Sequence, residues 1–189
     1  MPRPKRRTTA FHVPPGRRSR RVVIMLMVST IFLALVVAAI FAVGFWNGHR
    51  VARVLFAETA GCSPQERALV AGVMRNRIGH QAFDRLPNLE AVVRQPDAFS
   101  CVDDPDNTNW RKSRHPNQMT PVERAVWDEC LVLARGAGLA VHGPSGRPLV
   151  YYHDRSITKP RSWDNDRWRA IREQATAHFV FYSIVPVRP

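Results

Sequence analysis

Residues 51–61 read Val51-Ala-Arg-Val-Leu-Phe-Ala-Glu58-Thr-Ala-Gly61. Val51, Leu55 and Glu58 recur at helical spacing, so this stretch predicts an amphipathic helix whose apolar face carries a carboxyl group. A carboxyl buried among apolar side chains resists ionisation, because desolvation penalises the charged form. Such a group is suited to act as a general acid near neutral pH. Spacing alone also fits the more common case, a partly buried and paired glutamate at a helix end.

Two capping boxes mark the starts of further helices. The first, Ser63-Pro64-Gln65-Glu66, predicts a helix that runs to Ile78 and stops at Gly79. The second, Thr120-Pro121-Val122-Glu123, predicts a helix through Leu133. Residues 88–94 indicate a short helix, and we interpret residues 102–119 as a polar loop of a length that is often functional.

The last part of the chain favours strands. Residues 147–153 and 178–184 are rich in β-branched and aromatic side chains, and we expect them to pair antiparallel. Between them we expect a short helix near residues 167–174. Helices followed by a small sheet indicate an α+β fold, and residues 47–189 have the size of one domain with one core.

The amino-terminal end has the pattern of a membrane anchor. Residues 1–21 hold eight Lys and Arg and no acidic residue, and residues 22–46 are 25 residues without a charge. About 20 apolar residues suffice to cross a bilayer. We therefore predict a basic cytoplasmic tail (1–21), a transmembrane signal anchor (22–46) in the inner membrane, and a periplasmic or extracytoplasmic domain (47–189). This orientation argues against nucleic-acid binding, because the basic tail stays in the cytoplasm.

The sequence favours no metal site and no cofactor. None of the seven histidines forms a His-x-x-x-His pair, and no His/Cys group has ligand spacing, which argues against a zinc amidase. The Gly-x-Ser-x-Gly signature of a serine nucleophile is absent. The three cysteines, Cys62, Cys101 and Cys130, allow one disulfide and leave one thiol over.

Several blocks, in this order, resemble the SleB-type cell wall hydrolases, the spore-cortex-lytic family. The resemblance covers about residues 51–182. Its blocks are Ala52-Arg53 through Ala57-Glu58, Asn76-Arg77, Gln95-Pro96-Asp97-Ala98-Phe99-Ser100-Cys101, Val150-Tyr151-Tyr152-His153, Trp163, and His178 followed by Phe181-Tyr182. The chain departs from the family pattern at Ala60, usually an arginine, and at Cys62, usually a second glutamate. Its last block is also one residue longer.

The resemblance implies a lysozyme- or transglycosylase-like domain that cleaves the glycan strands of peptidoglycan, with Glu58 as the general acid. A lytic transglycosylase needs no second carboxylate, which fits the change at Cys62, whereas a muramidase-type hydrolase would need a partner such as Asp103 or Asp104. The expected substrate-binding residues are Ser100, Tyr151, Tyr152, His153, Trp163 and His178. If the motifs converge at the cleft, Cys62 and Cys101 are the preferred disulfide pair. A phage lysis enzyme of this fold and an inactive peptidoglycan-binding scaffold remain open alternatives.

Overall fold

The structure is a computed structural model that describes residues 16–137 and 140–187. The chain divides into two compact units after residue 43. In the first unit, residues 25–38 of a long helix are exposed along their whole length. Among the described residues, no helix combines the length and the apolarity that crossing a membrane requires. The predicted basic tail and anchor fall partly outside the description, which omits residues 1–15 and the side chains of residues 16–24 and 39–47.

The second unit combines helices with a small sheet, so the predicted α+β class is confirmed. Its helices are the end of α1 (Gly16–Thr59), α2 (Pro64–Asn76), α3 (Leu89–Arg94), α4 (Ser100–Asp103), α5 (Thr108–Lys112) and α6 (Pro121–Val132). The strands are β1 (Tyr151–Asp154), β2 (Trp168–Ala175) and β3 (Phe179–Pro186), in the order β1-β3-β2 with antiparallel pairing. Both predicted capping boxes are present, at the starts of α2 and α6.

The hydrophobic core forms where the last turns of α1 pack against α2, α6 and strand β3. Leu55 and Phe56 of α1 are fully buried with Val73 of α2 and Trp127 of α6. Strand β3 closes this core with Phe179 and Phe181, while Val180 and Tyr182 point to the opposite face of the sheet. The carboxyl-terminal end of α1, where Glu58 lies, is therefore held against the rest of the domain by packed side chains.

Two local predictions were wrong. Residues 168–175 form strand β2 rather than a helix, because pairing with β3 along the strand outweighs the helix propensity of its Ala, Arg and Glu residues. Residues 102–119 are not an unstructured loop, since they include the end of α4, all of α5 and a 3₁₀ turn at Pro116–Gln118. Asn107 caps α5, and Trp110 buries its ring there.

Candidate active site

Glu58 occupies the last turn of α1 and keeps its carboxylate half-buried. Its Oε1 atom accepts a hydrogen bond from the backbone N–H of Cys101 at 3.3 Å. Its Oε2 atom accepts one from the hydroxyl of Tyr152, also at 3.3 Å. The two oxygens are thus oriented by different parts of the chain, one by α4 and the other by β1.

Packing explains why these two donors reach Glu58. The Cys101 thiol is buried against α1, with its Sγ 3.9 Å from the carbonyl oxygen of Val54, so the first turn of α4 docks on α1. The Tyr152 ring packs edge-on against Phe179 on strand β3, with 5.2 Å between ring centroids. Burial, and next the Glu58 carboxylate, raise the pKa of Tyr152 well above its ordinary value, so its hydroxyl remains a proton donor.

A buried arginine, Arg77, lies near the carboxylate. Arg77 donates from Nε to the carbonyl oxygen of Val150 at 2.8 Å, and its guanidinium lies 4.9 Å from the ring centroid of Phe83. It is close enough to Glu58 for the two charges to interact. The preceding residue, Asn76, donates to the carbonyl oxygens of Val141 and Leu149. Both side chains hydrogen-bond to the backbone before β1 and so fix its position.

The carboxylate faces a cleft of about 660 Å³. One wall is aromatic, because the rings of Tyr151 and Trp163 stack with their centroids 4.5 Å apart and their planes 14° apart. Apolar ring faces of this kind are suited to contact the faces of sugar rings. Polar side chains complete the lining, among them Gln95, Asp97, Asn107, Asp154 and Ser162. A ligand bound in the cleft would therefore contact a carboxylate, an aromatic surface and hydrogen-bonding groups.

Six of the seven predicted site residues line this cleft: Glu58, Ser100, Tyr151, Tyr152, His153 and Trp163. Ser100 is exposed at the start of α4. His153 is mostly buried, with Nε2 3.0 Å from the Tyr182 hydroxyl and Nδ1 2.6 Å from the Asp154 carbonyl oxygen. Both ring nitrogens of His153 therefore have protein partners, so its contribution to the cleft is chiefly the placement of β1.

His178 is the exception, since it does not line the cleft. Its backbone N–H donates to Glu66 Oε1 at 2.9 Å, and its ring Nδ1 lies 3.0 Å from Glu66 Oε2. The turn between β2 and β3 carries it toward the start of α2 instead of toward Glu58. The structure thus places His178 beside Glu66 and outside the cleft of Glu58, and its role in substrate binding stays a prediction.

The acidic residues of the cleft differ from those suggested by the sequence. Asp103 and Asp104 do not line it, whereas Asp97 and Asp154 do. Asp97 has a φ of 57°, a left-handed conformation that aspartate tolerates better than most residues. Sequence analysis missed Asp97, although it lies inside the Gln95–Cys101 block; its position in that block was the available signal.

The preferred disulfide is not formed, and all three cysteines are free thiols. Cys101 lies against α1 beside Glu58, whereas Cys62 lies in the turn after α1, next to Glu66 and His178. Burial raises the pKa of Cys130 to about 12. The pairing was expected because both flanking motifs were predicted to converge on the cleft; both reach it, through Glu58 and Ser100, but the Cys62 side chain lies outside it.

Comparison with known protein families gives a match. A family model described as Cell Wall Hydrolase matches residues 61–182, about two thirds of the chain. The matched range contains α2 to α6 and most of the sheet, and it begins three residues after Glu58. No curated protein and no solved structure matches the chain.

Proposed function

This chain belongs to the cell wall hydrolase family, and we propose that it cleaves the glycan strands of peptidoglycan with Glu58 as its general acid. The observation that carries the proposal is the position of the Glu58 carboxylate. It faces the same cleft as the stacked rings of Tyr151 and Trp163. Glycosidic cleavage needs a proton donor at the bridging oxygen and a surface that holds the sugars on either side.

The surroundings of Glu58 suit a group that first gives and then regains a proton. When the carboxyl protonates the bridging oxygen it becomes an anion, and the Cys101 amide and the Tyr152 hydroxyl donate to that anion. The Arg77 guanidinium adds positive charge nearby. In this mechanism Arg77 and Tyr152 stabilise the Glu58 anion that forms when the proton leaves. Tyr151 and Trp163 hold the sugar rings in place.

We propose the lytic transglycosylase outcome as the main activity. Glu58, once deprotonated, accepts the proton of the muramic acid C6 hydroxyl, whose oxygen attacks C1 and closes a 1,6-anhydro ring. The glycosidic bond breaks, the new bond forms within the same sugar, and no water is consumed. This route uses a single carboxyl group, and Glu58 is the acidic residue of the cleft that accepts hydrogen bonds from both α4 and β1.

Hydrolysis is the second candidate function, because the cleft contains carboxylates other than Glu58. Asp97 and Asp154 both line the cleft and are exposed to solvent. An inverting hydrolase uses a second carboxylate to activate water on the opposite face of the sugar. Either aspartate would serve that role, and the transglycosylase route would need neither.

Digestion of purified peptidoglycan sacculi separates the candidates. The full chain, kept in mild detergent, is compared with Glu58→Gln, Asp97→Asn and Asp154→Asn, and the products are read by mass spectrometry. A transglycosylase gives anhydro-muramic ends that Glu58→Gln abolishes, a loss of at least about 100-fold, while both Asp variants keep the product type. Reducing ends that one Asp variant also abolishes would assign hydrolysis instead.

The same digest tests the non-enzymatic alternative. Sacculus binding without cleavage by the wild-type chain, under conditions where a control enzyme works, would identify a peptidoglycan-binding scaffold. Equal cleavage by wild type and Glu58→Gln would refute the role of Glu58, and the activity would then have to be assigned to another group of the cleft.

Membrane anchoring is a further part of the proposal. Residues 22–46 carry no charge and follow a basic segment, and side chains such as Met25, Phe32 and Leu35 are exposed along the helix. Such a surface is stable in contact with lipid. Membranes from expressing cells should retain the full chain after alkaline carbonate extraction. Protease added to spheroplasts should digest residues 47–189, and recovery of the chain in the carbonate supernatant would refute the anchor.

A further inference from the structure

Three side chains that carry different metal-binding atoms meet outside the cleft. The Cys62 sulfur, a Glu66 carboxylate oxygen and a His178 ring nitrogen all lie within 4.8 Å of one another. Cys62 belongs to the turn after α1, Glu66 to the first turn of α2, and His178 to the turn before β3. The grouping depends on the fold, because 112 residues separate Glu66 from His178.

The charges around this group favour a cation. Glu66 is only 3% exposed, and among the described residues its ion-pair partner is His178, which is charged only when protonated. The nearest guanidinium, that of Arg67, donates to the backbone carbonyl oxygen of Cys62 and is also paired with Glu129 at 2.8 Å. A buried carboxylate and a thiol thus lie side by side, and the buried guanidinium near them is shared with Glu129.

We propose that Cys62, Glu66 and His178 form a binding site for Zn²⁺. Thiolate, imidazole and carboxylate are the ligands that zinc takes in proteins, at about 2.0–2.3 Å. In a tetrahedral site such ligand atoms lie about 3.3–3.8 Å apart, so the present separations have to shorten by at most about 1.5 Å. The exposed ring of His178 and the half-buried Cys62 have room to move, whereas donors from Ser63 and from the His178 backbone hold the Glu66 carboxylate.

Zinc binding at this site moves one proton and changes no oxidation state. The Cys62 thiol releases its proton to solvent and binds as thiolate. Neutral His178 binds through one ring nitrogen and keeps its proton on the other. Glu66 contributes a lone pair of one carboxylate oxygen while the other still accepts from the His178 N–H. Water takes the fourth position on the exposed side.

The bound ion would act as a clip and not as a catalyst, because none of its ligands lines the cleft. It would join the turn that follows the helix of Glu58 to the turn between β2 and β3. A ligand that binds only the folded state stabilises that state by mass action. Zinc should therefore raise the thermal unfolding temperature of the chain.

The test uses the full chain without an affinity tag, reduced and stripped of metal with a chelator. Zn²⁺ affinity is measured by competition with a chromophoric chelator, and Co²⁺ serves as the spectroscopic probe of a thiolate ligand. We expect one equivalent bound, with a thiolate-to-cobalt charge-transfer band. Cys62→Ser should remove the band, and Cys62→Ser and His178→Gln should each weaken zinc binding at least about 100-fold, more than the loss of an outer-shell partner.

Matched controls are Cys130→Ser, a buried thiol elsewhere, and His142→Gln, an exposed histidine. Both should keep wild-type affinity and the zinc-dependent rise in unfolding temperature. Absence of one-to-one binding, or unchanged affinity in either ligand variant, would overturn the proposal. Should a ligand variant fail to fold, the wild-type cobalt spectrum still decides, because a missing thiolate band overturns the site.

Discussion

Replacing Glu66 by glutamine tests whether the buried capping box of α2 is a major source of stability. The Glu66 carboxylate accepts hydrogen bonds from the Ser63 N–H at 3.0 Å, the Ser63 hydroxyl at 3.0 Å and the His178 N–H at 2.9 Å. The His178 ring adds a contact at 3.0 Å. One residue therefore joins the start of α2 to the turn before β3.

The expected loss of stability follows from the hydrogen-bond donors that glutamine leaves without an acceptor. Glutamine has one oxygen where glutamate has two, and its amide group would face at least one of the N–H donors that now point at the buried carboxylate. A donor left without a partner costs about 1–3 kcal/mol, so we expect Glu66→Gln to lower the free energy of unfolding by about 1–3 kcal/mol at neutral pH. Equilibrium unfolding in urea, with a chelator present, measures the difference.

The stability difference between wild type and Glu66→Gln should depend on pH. Burial alone would raise the pKa of Glu66, but the Thr176 hydroxyl and the donors of His178 and Ser63 outweigh burial and hold it well below its ordinary value. Because the folded-state pKa lies below the unfolded one, the stabilisation is complete above the ordinary range of glutamate and is lost as the pH falls. The gap between wild type and Glu66→Gln should therefore narrow below about pH 4.

The second capping box supplies a matched control. Glu123 closes the box of α6 with Thr120 in the same way, but that box lies at the surface. Glu123→Gln should cost only a small part of the loss at Glu66. Equal losses at the two positions, or a loss at Glu66 that stays constant with pH, would refute the reasoning from burial.

Three further substitutions probe the cleft and the core. Tyr152→Phe removes the hydroxyl that donates to Glu58 and keeps the packed ring, so cleavage should slow about 10-fold without loss of folding, as measured on sacculi. Trp163→Ala removes half of the aromatic stack and should weaken sacculus binding about 3- to 10-fold in a pull-down titration. Gly72→Ala would place a methyl group 2.4 Å from a valine carbon and should lower the free energy of unfolding by about 1–3 kcal/mol. Gly61→Ala, which meets nothing within 4 Å, is its control.

Each of these expectations has a result that contradicts it. Full activity in Tyr152→Phe would mean that the hydroxyl does not support proton transfer. Unchanged binding by Trp163→Ala would place the glycan away from the aromatic wall. Equal stability of the Gly72→Ala and Gly61→Ala variants would mean that the helix of Gly72 moves aside without cost.

Local signals in the sequence predicted the helices well. A Ser or Thr followed three residues later by Glu defines both partners of a capping box within one turn, so the starts of α2 and α6 were correct. Asn88 likewise marked the start of α3. The pairing of β1 with β3 was also predicted correctly, since both segments are dense in aromatic and β-branched residues.

Features that depend on contacts between residues far apart in the sequence could not be predicted from the sequence alone. Strand β2 contains residues that suit a helix, and only its pairing with β3 makes it a strand. The partner of Glu66 is His178, which lies far along the chain, so no spacing rule could relate them. For the same reason the sequence assigned His178 to the cleft and missed Asp97, which a left-handed turn brings into it.

The position of Cys62 changes the meaning of the departure from the family pattern. A cysteine in place of a second glutamate cast doubt on any route that needs two carboxylates. In the fold, however, Cys62 does not line the cleft of Glu58; it faces Glu66 and His178. The change therefore leaves the acids of the cleft intact and alters the contact between α2 and the β2–β3 turn. In the proposed hydrolytic route the second carboxylate is Asp97 or Asp154, so Asp97→Asn and Asp154→Asn, rather than a glutamate restored at position 62, are the variants that test it.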